Sequence, residues 1–335
     1  MSEKYRICFW DNLKLLLIFF VVMGHVIDMS NYPSDLIKFI YFFIYFFHMP
    51  VFIFVMGYFS KNVDACAESA FVKYFLPYCL LVVLSFVQLK FTVVDNETLS
   101  VFRLFSPASS CWFLLASFVW KKMLPDLLKI KHVVFFTLLL GLLSGFSHEF
   151  AYKFALGRLC VFTVYFLLGY FTTDMHIDRI RKVPKVYSFI VVIILMGLIY
   201  YLAVLKNMPR EAVLCRTYYT DGNEINEFIY RIVFYIISSI MILILINLAP
   251  NKKYRFTYLG SKTLYVYFFH MFIVRFIKKY MVNVIIFKEY ELVYLLFVVI
   301  MSVLITLGLS NKLVEKIYCS IISLLTGILI KRKDL

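Results

Sequence analysis

Residues 11–25 read DNLKLLLIFFVVMGH: an acid and a lysine, a long apolar run, then glycine and histidine. The run lacks the period-two alternation of a half-buried strand, so a helix is the economical reading. On a helix the eleven residues from Lys14 to His25 make about three full turns, so both side chains leave one face, roughly 16 Å apart along the axis. Asp11 precedes Lys14 by three residues, at ion-pairing spacing. Gly24, beside the histidine, lets another helix or a ligand approach closely. An ionisable group inside an apolar helix is costly and ordinarily serves a pathway or a site. Lys14 and Asp11 have a plainer use, snorkelling to an interface.

The rest of the chain has the same character. Of 335 residues 63% are hydrophobic, with 37 Phe and 25 Tyr, against about 45–50% apolar in a soluble domain. The expected fold is therefore all-α and polytopic, with about ten transmembrane helices near 13–30, 36–59, 71–90, 111–124, 133–146, 155–172, 186–205, 228–248, 258–277 and 291–309. Outer-membrane barrel strands are excluded by the length of the apolar runs. The first run is followed by GHVIDMSNYP, which has no small-x-small cleavage site, so it is read as a retained span rather than a signal peptide.

The formal net charge of +15 would suggest nucleic acid in a soluble protein. Here the cations sit in short loops, so no nucleic-acid partner is expected; they orient the chain and meet anionic lipid head groups. Lys4, Arg6, Lys61, Lys73, Lys121, Lys122, Lys129, Lys131, Arg179, Arg181, Lys182, Lys185, Lys252, Lys253 and Arg255 fall on one side. The alternate loops hold Asp28, Asp35, Asp95, Glu97, His148, Glu149 and the mixed segment 206–227. The bias puts the N-terminus in the cytoplasm. A further apolar run, 317–330, is short for a span and ends in KRKDL, so it is read as an interfacial helix with the C-terminus inside, an eleventh span being the alternative. No repeat and no soluble module interrupts the chain, which reads as a single membrane domain over 1–335. Seven scattered cysteines without CxxC or Cys/His spacing give neither a metal site nor a disulfide framework.

Other spans carry polar groups too. The second holds Phe47-His48-Met49-Pro50-Val51-Phe52, where the proline frees a carbonyl one turn earlier and predicts a kink beside His48. Thr263, Tyr267 and His270 share one face of the ninth span, and Arg231, Tyr235 and Ser238 one face of the eighth. Arg158 lies near the outer end of the sixth, at the level of Trp112, which an aromatic belt also explains. Three histidines and two arginines on five helices imply a central polar cavity.

These residues resemble the acyltransferase-3 family of integral membrane O-acyltransferases, in particular its fucose O-acetylase-like branch. The family's cation, ten residues, then histidine in the first span is matched by Lys14 and His25. Its Phe-His-Met-Pro-x-Phe run with a Gly-aromatic pair is matched by Phe47 to Phe52 with Gly57 and Tyr58. Trp112, Phe113 and Leu114, the run from Arg158 to Tyr170, and Gly260, Thr263, Tyr267 and His270 are similar to its remaining motifs. Lys14 stands where arginine is common, Met56 where serine often precedes the glycine, and no proline follows Arg158.

The resemblance implies an O-acetyltransferase of the bacterial cytoplasmic membrane, moving acetyl from acetyl-CoA to a hydroxyl of a cell-surface glycan or its lipid-linked precursor, with no tightly bound cofactor. A hydroxyl needs a base during attack, and a neutral histidine can serve; His25 is the expected one, acting directly or through an acyl-imidazole. Arg158, Tyr267 or His48 can supply the donor to the thioester oxyanion, with His270 beside them. Lys14, oriented by Asp11, suits the CoA phosphates, as do Lys61, Lys121 and Lys122, with Trp112 nearby. A small-molecule or ion transporter is the alternative that a polar intramembrane cavity allows.

Overall fold

The computed structural model describes residues 3–28, 34–92, 111–152, 154–281 and 290–330. Asp95, Glu97, the end of the first expected span at 29–30 and the basic tail from Lys331 lie outside them. Among the described residues the regular structure is helical throughout, without strands. The elements are α1 (Glu3–Ile27), α2 (Asp35–Tyr58), α3 (Val63–Ala70), which passes through a π turn (Phe71–Phe75) into α4 (Leu76–Thr92), α5 (Trp112–Leu127), α6 (Val133–Leu143), α7 (His148–Tyr152) and α8 (Leu156–Phe171). Then follow α9 (Asp174–Lys182), α10 (Lys185–Tyr200), α11 (Arg210–Leu214), α12 (Glu224–Leu248), α13 (Thr263–Met281), α14 (Glu291–Leu309) and α15 (Lys312–Leu329).

All ten expected segments are helical, but by length and apolarity only six helices among the described residues qualify as membrane spans. These run Cys8–Ile27, Asp35–Tyr58, Val63–Gln88, Lys185–Leu205, Glu224–Leu248 and Glu291–Leu309. Helix α6 is short, α5 carries Lys121 and Lys122, and α13 ends in a basic turn with Lys278 and Lys279. Helix α8 turns through 93° into α9, and the two together could make a seventh span. The third expected segment starts eight residues earlier than its apolar run, because Asn62 caps α3 and the helix continues through the polar stretch.

Helix α2 is the centre of the bundle, packed against α1, α8 and α12. It crosses α8 backbone to backbone: a Cβ at Gly57 would sit 1.9 Å from the Phe166 carbonyl oxygen, and one at Gly169 2.0 Å from that of Phe54. Pro50 does not break α2, which is continuous from Asp35 to Tyr58. The missing N–H frees the carbonyl of Phe46, four residues earlier, and Ser238 of α12 donates to it at 2.5 Å. An opening in one helix thus becomes a bond to its neighbour.

The start of α1 is fixed by the segment after α12. Asn12 donates to the Pro250 and Lys252 carbonyls at 2.9 Å, accepts from Thr257 at 2.6 Å, and Asp11's backbone lies against Gly260. Arg181 of α9 donates to Ile246 and Ala249 carbonyls at 3.0 and 2.9 Å, capping α12. Helix α15 is tethered to the start of α13 by a Lys262–Glu315 ion pair.

Candidate active site

Two helices bring the histidines together in register. His48 sits on the buried face of α2, one turn after Ile44, whose carbonyl accepts from its Nδ1 at 2.8 Å. His270, with no exposed surface, has Nδ1 at 2.7 Å from the Tyr267 carbonyl and 3.1 Å from that of Val266. A carbonyl only accepts, so Nδ1 carries the proton in both rings and Nε2 presents a lone pair. Nε2 of His270 is buried without a hydrogen-bond partner. The ring of half-buried His25 lies 5.3 Å from that of His270, centroid to centroid, and Tyr45 stands against both His25 and His48 at 6.5 and 4.7 Å.

His25 and His48 open onto a cavity of about 60 Å³. Its wall also includes Trp112 from the start of α5, Arg158 from the first turn of α8, and Tyr267 from α13. The Arg158 guanidinium lies 4.9 Å from the Trp112 indole, so Trp112 here holds a cation. Asp28, just past the end of α1, meets Arg210 at 2.8 Å on the same wall. Burial pushes the Asp28 carboxyl up, while Arg210 and then Arg216 pull it the other way.

A second cavity, of about 370 Å³, lies toward the Lys14 end of α1. Lys14, paired with Asp11 at 2.7 Å, lines it together with Lys73, Tyr74, Lys121, Cys66, Ser69 and Thr263. Lys121 is 6% exposed and donates to Ser60 Oγ at 2.8 Å, with Cys66 Sγ at 3.7 Å. Lys73 and Tyr74 enter the cavity wall from the π turn, a departure from α geometry that often marks functional positions. The two cavities share three lining residues: Val21, Met49 and Tyr267.

The expected site residues thus divide. His25, His48, Arg158, Tyr267 and Trp112 line one cavity, Lys14 and Lys121 the other, and Asp11 and His270 stand directly behind them. Lys61 is elsewhere: it donates to the Tyr170 carbonyl and, at 2.7 Å, to that of Thr172, capping α8, since the last carbonyls of a helix lack partners. Burial pushes its ammonium down, with Asp174 opposing. Lys122 is exposed and lines neither cavity. In its neutral form His48 donates its one N–H to Ile44 and leaves Nε2 as an acceptor.

Nor does Arg231 join the cavity. It donates to the Gly141 carbonyl at 3.3 Å, while Tyr235 donates to Val161 and Ser238 to Phe46, so this polar face of α12 holds α6, α8 and α2. Lys73, Asp28, Arg210 and Arg216 were not legible as site residues. Asp28 had a signal, three residues beyond His25 and so on its face; Arg210 opens the one-turn helix α11 and Arg216 follows it, a segment too short for a periodicity to read.

A family model, described as an acyltransferase domain (acyltransferase-3), matches residues 8–311. At a significant level no curated protein matches the chain, and no solved structure does.

Proposed function

The chain belongs to the acyltransferase-3 family, and from that premise we propose that it is a multi-pass O-acetyltransferase of a bacterial cytoplasmic membrane. It moves acetyl from acetyl-CoA to a hydroxyl of a cell-surface glycan or its lipid-linked precursor. The observation that carries this is the pair of cavities along one face of α1, one lined by lysines and the other by histidines, sharing Val21, Met49 and Tyr267. Lys14 and His25 are separated by roughly 16 Å of helix, comparable to the reach of a pantetheine arm from its phosphates. The CoA phosphates meet Lys14, Lys73 and Lys121, and the thioester passes the shared residues to reach His25.

There His25 takes the proton of the acceptor hydroxyl as its oxygen attacks the thioester carbonyl. The oxyanion is met by the Tyr267 hydroxyl and by Arg158. Collapse breaks the carbon–sulfur bond, and the proton on His25 passes to the departing thiolate, leaving an acetyl ester and free CoA. His270 Nε2 is available to accept the one N–H of neutral His25, which turns the basic nitrogen of His25 toward the hydroxyl. On this reading the domain is a single module, its termini are cytoplasmic, and α15 lies on the lipid surface.

The test is mass spectrometry of surface glycans and lipid-linked sugars from cells with and without the gene. An acetyl increment that requires the gene and is lost in His25→Ala supports the reading; identical spectra reject it.

A further inference from the structure

The wall of the His25 cavity carries more cation than acetyl transfer uses. Arg158, Arg210 and Arg216 line it, and Asp28 is the sole carboxylate that does so among the described residues. Asp28 is committed to Arg210. Arg158 lies over Trp112, where the thioester oxyanion is to be met. Among the described residues Arg216 is ion-paired at 3.5 Å with Glu211, which does not line the cavity and is shared with Arg210 at 3.9 Å. Arg216 keeps 43% of its side-chain surface exposed, so a solute entering the cavity can reach its guanidinium.

Arg210, which opens α11, and Arg216, which follows it, are held in position by the fold. Met208, Ala212 and Val213 are buried around α11. Cys215, 1% exposed, takes a left-handed φ of 51°, which ends α11 in a sharp turn and carries Arg216 to the cavity wall. Beyond it the Tyr219 N–H donates to the Gly145 carbonyl at 2.6 Å and its hydroxyl to that of Leu142 at 2.8 Å, tying the loop to the end of α6. The CoA phosphates do not serve as the missing anion, since their lysines stand at the other end of α1.

We propose that the acceptor carries an anionic group, a carboxylate or a phosphate, beside the hydroxyl that is acetylated, and that Arg216, flanked by Arg210, receives it. This rests on the acetyltransferase reading above. The anion has two possible sources, the carboxylate of an acidic sugar or the phosphate of a phosphosugar or lipid carrier.

The test uses membranes containing the full chain and its endogenous acceptor, isotope-labelled acetyl-CoA, and three competitors: glucuronate, glucose 1-phosphate and glucose. One charge-assisted contact predicts that at least one anion inhibits label incorporation about tenfold more strongly than glucose. Which anion does so identifies the source. Arg216→Gln abolishes that preference and lowers incorporation, and Arg216→Lys restores part of both. If neither anion outcompetes glucose while incorporation proceeds, the inference falls and the acetyltransferase reading stands. Inhibition that excess acetyl-CoA relieves locates the anion at the lysine end and overturns it as well. No incorporation at all rejects the reading on which it rests.

Discussion

On the proposed mechanism, replacing His25 by alanine removes the proton acceptor, and it leaves the lysine-lined cavity, which His25 does not line, intact. A positioned general base contributes about 10²–10⁴ in rate, ~3–5 kcal/mol of barrier. The structure narrows this, because His48 presents a second Nε2 lone pair to the same cavity. His48 lies against Tyr45 at 4.7 Å, whereas His25 faces His270 at 5.3 Å, so the two lone pairs meet the acceptor at different points. Since a misplacement of about 1 Å can cost 10²-fold, His48 recovers little, and a loss of roughly 10³ is expected. Adding His48→Ala then costs less than about tenfold more, as groups that act on one proton are not additive. The assay is transfer of label from acetyl-CoA to glycan in membranes, normalised to inserted protein. His25→Ala retaining a third or more of wild-type transfer would refute the assignment. A thousandfold loss in His48→Ala with His25→Ala spared would move the base to His48.

Cys66 lines the lysine-rich cavity, so in a Cys319→Ser background its alkylation by maleimide is expected to slow at least severalfold with CoA present; an unchanged rate would remove the donor from that cavity. Lys14→Met should weaken that protection with little effect on surface abundance, read by the CoA concentration that gives half protection. At the α2–α8 crossing, Gly57→Ala forces α8 back by roughly 1.5 Å to regain ordinary contact. That predicts at least about a hundredfold loss of transfer, whereas Gly197→Ala, with nothing within 4 Å, is silent in the same assay. The Lys262 ammonium beside Glu315 holds its carboxyl below the usual carboxylate range. A lowered acid favours the docked form when ionised, so the tether of α15 is fully present above the ordinary carboxylate pKa and is lost as pH falls through the lowered value. Because thiol labelling itself slows on acidification, Cys319 on α15 is compared with the same cysteine in Glu315→Gln at each pH: the wild type should label more slowly at neutral pH and the two should converge at acid pH; equal rates at neutral pH would exclude the tether.

The sequence by itself determined the helices and what each carries along its own axis. Apolar run length and periodicity are local properties, so the ten segments, the pairing of Asp11 with Lys14 and the common face of Lys14 and His25 were legible without neighbours. So was the consequence of Pro50, a free carbonyl, though not its partner. What only the tertiary structure decided is which polar faces meet. That depends on how each helix is rotated and how closely pairs approach, set by contacts such as Gly57 with Phe166, Gly169 with Phe54 and Asn12 with the 250–257 segment, remote in sequence. Those contacts sent Lys61 to the end of α8 and Arg231 into helix packing, since buried backbone acceptors take the nearest cation or donor available. They also brought Arg210 and Arg216, which no periodicity marks, to the wall around His25, where they join Asp28. A helix fixes directions about its own axis; only packing against other helices turns those directions into a site.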